Sequence, residues 1–275
     1  MREDQATGLR QLFSARSARV LLVADCAWPR RGWLALNLAA AFSRAGEQTI
    51  VLDAEAESIA ALWGARCRYE LAHVIDGDRS LVDVIVPGPE SSVVLPMRRA
   101  AATLAQRGRA GQSALARVLE RFVENDGLLV VPVSPNGLAS ALWHFGAAEI
   151  LLCAGEGSTA TTSAYTSIKS LLSRRPRPSL RVVFASSDAG QGVQDRFAHL
   201  AEMVKRFLGA PLGFAGALPS DDLGYGTPGR TLFDDAPTIA PMIEALALDI
   251  AAWRLPRLEF GVGPVTRHSS QVVTI

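Results

Sequence analysis

RVLLVAD (residues 19–25), DCAWPRRGW (25–33), LALNLAAAFSRAG (34–46) and TIVLD (49–53) decide the fold. The first is a continuous apolar run, the pattern of a strand buried on both faces. The second is punctuated by Pro29 and Gly32 and reads as a loop. The third predicts a helix that Gly46 closes as a C-cap. The fourth predicts another buried strand. This β-loop-α-β spacing implies a right-handed parallel crossover.

The pattern repeats outward. Short helices are expected over 58–64 and 69–76, and SLVDVIV (80–86) is an apolar stretch turning at PGPE. SVVLP (92–96), LLVVPV (128–133), EILLC (149–153), RVVFAS (181–186) and FAGAL (214–218) predict strands. Helices are expected over 114–125, near 138–146, over 162–174, 191–208 and about 238–254. Residues 97–113 lack clear periodicity and read as a mobile loop. The expected architecture is a single doubly wound α/β domain with a mostly parallel sheet over 19–258. A helix within 1–18 precedes it, and a loose tail over 259–275 follows.

Composition narrows the class. Of 275 residues, 49% are apolar and 20% charged, with a net charge of +1, which describes an ordinary globule. The charge does not favour a polyanion-seeking protein, and the arginines of 97–109 lack interleaved aromatics, so no nucleic-acid partner is expected. No apolar run is long enough for membrane insertion, and the polar start does not read as a secretory signal. Cys26, Cys67 and Cys153 are scattered, so neither disulfides nor a metal centre is expected. Of 28 basic residues only Lys169 and Lys205 are lysines, which excludes any mechanism needing a lysine in the first 168 positions.

The first β-α turn is where a phosphate-binding loop would sit. That chemistry requires glycines for close backbone approach, a lysine for the β- and γ-phosphates, and a Ser or Thr hydroxyl for Mg²⁺. Residues 26–32 are Cys, Ala, Trp, Pro, Arg, Arg and Gly, with one glycine, no lysine and no hydroxyl.

Other segments carry a resemblance. DQATGLR (4–10), Asn37-Leu38-Ala39, TIVLDAE (49–55), YELAHVIDGDRSLVDVIVPGP (69–89), TSAYTSIKSL (162–171) and Leu218-Pro219-Ser220-Asp221 occur in the order found in MinD/ParA-like P-loop ATPases. The chain most resembles their flagellar-number regulators, the FlhG/YlxH/FleN group. Aligned on Asn37, that family's loop lysines fall on Cys26 and Arg31, and its Mg²⁺ threonine falls on Gly32. The acid pair after the second strand falls on Asp53 and Glu55, and the switch aspartate after LLVV falls on Pro132.

The resemblance implies a P-loop NTPase fold; the cysteine pattern favours the cytoplasm, with recruitment to the cell pole left open, and the departures at Cys26, Arg31, Gly32 and Pro132 favour a monomer. Resemblance and departures together imply a degenerate relative that regulates flagellar assembly, number and placement by binding proteins, without the ATP and Mg²⁺ of the family. Partner contact is expected of Asp4, Gln5, Ala6, Leu9 and Arg10, which match the segment that stimulates an FlhF-type signal-recognition GTPase. Flagellar switch-complex proteins and a flagellar transcription activator are further implied partners. The alternative is an active ATPase of altered loop chemistry that switches between monomer and dimer. A ParA-like role in another polar machine, such as cellulose secretion, fits the DQATGLR start poorly. By the residues alone, Asp53 and Glu55 read as solvent-facing strand-end carboxylates, and Arg30 and Arg31 as a solvated turn. The stripe Ile239, Met242, Ile243, Leu246, Ile250 and Trp253 reads as packing against the sheet.

Overall fold

The apolar runs without alternation become the interior of one sheet. A computed structural model describes residues 17–26, 31–54, 58–120, 123, 127–134, 149–173, 178–187, 192–220, 230–235 and 239–259. The chain runs β1 (Ser17–Cys26), α1 (Arg31–Arg44), β2 (Thr49–Asp53), α2 (Ile59–Leu62) and α3 (Leu71–Ile75). A 3₁₀ turn at Leu81–Asp83 leads to β3 (Val86–Pro87), β4 (Val93–Pro96), α4 (Arg98–Gln106) and α5 (Gly108–Glu120). Then come β5 (Gly127–Val133), β6 (Glu149–Ala154), α6 (Ser158–Leu172), β7 (Ser179–Ser186), α7 (Val193–Leu208) and β8 (Gly213–Pro219). The chain continues with α8 (Leu232–Asp235), α9 (Ala240–Ala251) and β9 (Arg257–Glu259).

The strand order is β3-β4-β2-β5-β1-β6-β7-β8, with β9 also on β1. Pairing is parallel except for β3 on β4 and β9 on β1. The first strand is central: Leu22 stands between Val131 of β5 and Ile150 of β6. Every residue of β2, β5 and β6 is buried, as strands covered on both faces must be.

Alternate residues of β1 feed two cores, because successive Cβ atoms point to opposite faces. Leu22 belongs to one with Leu104, Leu115, Leu119, Ile168 and Leu200. Leu21 and Val23 belong to the other with Leu34, Leu38 and Phe42 of α1 and Ile243, Leu246 and Ile250 of α9. Each such side chain contributes about 1.5–3 kcal/mol by leaving water. The stripe over 239–253 therefore packs inward, as expected, while Met242 stays exposed.

Three expectations are corrected. Residues 97–113 are not a loop: α4 and α5 run through them and meet at Gly108, whose φ is +52°. The periodicity is hidden because small residues carry it. Ala100, Ala101 and Leu104 are all buried and lie on one helical stripe, and Gly111 lets α5 approach the Leu104 carbonyl. The first helix begins at Arg31, earlier than residue 34, so Arg31 and Gly32 lie in its first turn. Part of SLVDVIV forms the 3₁₀ turn, followed by the two-residue edge strand β3.

One strand had no sequence signal. β6 begins opposite the middle of β1, which leaves Ser17–Arg19 open on that side, and β9 pairs there antiparallel. The Arg257 guanidinium donates to Ser17 Oγ at 3.0 Å, and Val20 N–H donates to the Pro256 carbonyl at 2.9 Å. The helices expected within 2–16 and near 138–146 lie outside the described residues.

Candidate functional site

The parallel strands end on one edge of the sheet, the edge where open α/β folds bind ligands. β1 ends there at Asp25-Cys26, and β2 ends at Asp53. The first turn of α1 stands over the end of β1.

Arg31, at the position aligned with the P-loop lysine, is not a solvated turn residue. Its guanidinium forms an ion pair with the Asp25 carboxylate, and both side chains are largely withdrawn from solvent. This is a chain-internal, charge-assisted contact at the end of β1. Nothing in the spacing of Asp25 and Arg31 singled out this pair in advance.

Gly32, at the position aligned with the Mg²⁺ threonine, is closed in by α2. A Cβ on Gly32 would stand 2.6 Å from Ile59 Cδ1 and 3.0 Å from Leu62 Cδ1. Any larger residue would have to push these side chains aside. Cys26 is buried, and its Sγ donates to the Cys153 carbonyl at 3.2 Å. Burial, with Asp25 nearby, raises its thiol pKa far above the ordinary range, so it remains a neutral packing group. Pro132, the residue aligned with the family's switch aspartate, lies within β5 opposite Val23. It carries no group to hold a proton or a metal.

Asp53 is the larger surprise. It does not face solvent: it is 3% exposed. Its Oδ2 accepts from Ser58 Oγ at 3.0 Å and from Ala60 N–H at 3.1 Å, which fastens the start of α2 to the end of β2. Its Oδ1 has no hydrogen-bond partner among the described residues. Desolvation pushes its pKa up, opposed by the Ala60, Ile59 and Ser58 hydrogen bonds and by the Arg98 charge.

A third cluster lies at the ends of β6, β7 and β8. Glu156 Oε1 accepts from Ser187 N–H at 3.1 Å and Ser187 Oγ at 2.7 Å, while Oε2 accepts from Ser220 Oγ at 3.2 Å. These bonds, led by the Ser187 hydroxyl, hold its carboxyl below the usual range. The sequence reading did not pick out Glu156, because a lone acid after a strand carries no pattern.

Cys26, Arg31 and Gly32 are thus brought together at the end of β1, while Asp53 turns toward α2. Glu55, Arg30 and the expected contact residues Asp4, Gln5, Ala6, Leu9 and Arg10 lie outside the described residues. Among the described residues no three His, Cys, Asp or Glu side chains are grouped as a metal set. No described helix is long and apolar enough to cross a membrane.

Comparison with known proteins places this geometry. No protein-family model matches the chain. It is 26% identical over 248 residues to the antiactivator FleN of Pseudomonas aeruginosa, covering 86% of this chain and 88% of that one. The MinD cell division protein of Aquifex aeolicus superposes with a TM-score of 0.64 at 14% identity, over 87% of this chain and 99% of its own. A ParA family ATPase from Chlorobium tepidum superposes with a TM-score of 0.60 at 15% identity, over 84% and 98%. The fold is therefore that of the MinD/ParA P-loop ATPases, and the sequence resemblance to FleN-type regulators extends along most of the chain.

Proposed function

We propose that this protein is an FlhG-like regulator of flagellar assembly that acts by binding other proteins and not by hydrolysing ATP. One observation carries the reading: Arg31, the side chain aligned with the family's P-loop lysine, is paired with Asp25. A triphosphate would have to displace a carboxylate already held at close range. Gly32, without a hydroxyl and packed against Ile59 and Leu62, supplies no ligand for Mg²⁺. Pro132 supplies no acid. The residues available at the first turn are a poor fit for Mg·ATP, so no step through a nucleotide is assigned.

The similarity to FleN supports the regulatory half. That protein is an antiactivator, which makes a flagellar transcription activator one candidate partner here. DQATGLR supports another, an FlhF-type signal-recognition GTPase, with Gln5, Leu9 and Arg10 as the contact set beside Asp4 and Ala6. On a helix Gln5 and Leu9 fall one turn apart on the same face. The test adds a peptide of residues 1–19 to the cognate FlhF-type GTPase. Faster GTP hydrolysis is expected, lost when Gln5→Ala and Leu9→Ala are combined. Unchanged hydrolysis with both the peptide and the full chain overturns this partner.

A further inference from the structure

A second site lies over the ends of β2 and β4, away from the first turn of α1. A cavity of about 370 Å³ opens there, walled in part by Asp53, Arg68, Glu70, His73, Arg98 and Arg99. This is at the small end of ligand cavities, with room for an ion or a compact molecule. Among the described lining residues, three guanidinium groups stand with two carboxylates.

The start of α4 sharpens the point. Its nine residues begin Arg98-Arg99 and carry no acid in the first turn. Two cations thus sit at the positive end of a helix dipole, where anions are favoured and cations are not. Glu70 answers only one of them: its Oε2 accepts from Arg99 N–H at 2.8 Å, and its Oε1 lies 3.6 Å from Arg99 Nε. The guanidinium of Arg68 lies over the Tyr69 ring at 5.3 Å and has no ion-pair partner among the described residues.

Asp53 adds an independent requirement. It lines the same cavity and is 3% exposed, and among the described residues its Oδ1 has no hydrogen-bond partner while Oδ2 accepts from Ser58 and Ala60. A buried acceptor left unpaired costs about 1–3 kcal/mol. The occupant must therefore be negative toward the arginines and must also carry a proton toward Asp53. An oxyanion that keeps a hydroxyl at neutral pH meets both needs.

We propose that this cavity binds a phosphate group, free or as a small monoester, held by Arg98 at the start of α4 and by Arg68 ahead of α3, with its P–OH donating to Asp53 Oδ1. The proposal does not depend on the regulatory reading above. Sulfate has the same shape and charge but no proton at neutral pH, so it separates the two halves of the site. Calorimetric titration of the full chain with inorganic phosphate is expected to show binding about tenfold tighter than with sulfate. Glycerol 3-phosphate in a parallel arm identifies the source: tighter binding than inorganic phosphate indicates a monoester, and weaker binding indicates the free ion. Arg98→Gln should weaken both phosphate and sulfate. Asp53→Asn, whose amide can donate, should erase the preference while keeping sulfate binding. The selectivity of the unaltered chain is a readout that needs neither variant to fold. Absence of phosphate binding at millimolar concentration overturns the proposal, as does equal affinity for sulfate.

Discussion

Arg31 and Asp25 set the chemistry at the scale of single residues. Both are mostly buried, so losing either charge leaves the other partly uncompensated. Arg31→Ala should lower stability by about 1–3 kcal/mol, read as a lower urea midpoint with an unchanged slope. Gly32→Thr should cost a similar amount, roughly 1–3 kcal/mol, because its side chain must displace Ile59 and Leu62. Restoring the hydroxyl in this way should not create Mg·ATP binding. Asp53 makes a pH prediction. Its folded pKa is raised, so the native state takes up a proton more readily than the unfolded chain, and the buried charge is a net cost above that pKa. Asp53→Asn should therefore be more stable than the parent at neutral pH. The advantage should shrink as the pH falls through the raised pKa toward the ordinary carboxylate range, measured as paired urea midpoints. The sequence shows that an arginine stands at position 31. Asp25 as its partner, and the burial of Asp53 beneath Ser58 and Ala60, were not legible there. Both depend on where side chains turn at a strand end, and no spacing encodes that.

Among the elements, strands were legible because long apolar runs leave little choice but a covered sheet. The α4–α5 pair was not, because alanines and a glycine carry its buried stripe and give a weak periodic signal. The two-residue β3 and three-residue β9 are too short to show a pattern at all; β9 exists because β1 has an open side below β6. Removing residues 257–275 should therefore speed amide exchange at Ala18–Val20, where β9 and the Pro256 carbonyl cover the backbone. Exchange in α7, on the far side of the sheet, should be unaffected. Acceleration spread over the whole sheet would mean that β9 does more than cap this edge.

The whole molecule is one sheet carrying two cores, and thiol accessibility reports on its integrity. Cys26 and Cys153 are buried and Cys67 is exposed. One thiol of three should react with a chromogenic disulfide under native conditions, and all three after denaturation. The fold was the most legible feature, since strand and helix alternate over nearly the whole chain. What the fold does with its first loop is the functional question, and nucleotide linkage answers it. Thermal unfolding of the full chain with and without Mg·ATP is expected to give the same midpoint. A ligand at 100 times its Kd would add about 2.7 kcal/mol, enough to raise the midpoint by several degrees. A Mg²⁺-dependent rise of that size that persists in Arg98→Gln, and so does not arise in the phosphate cavity, would contradict the reading of this protein as a regulator without an ATP switch.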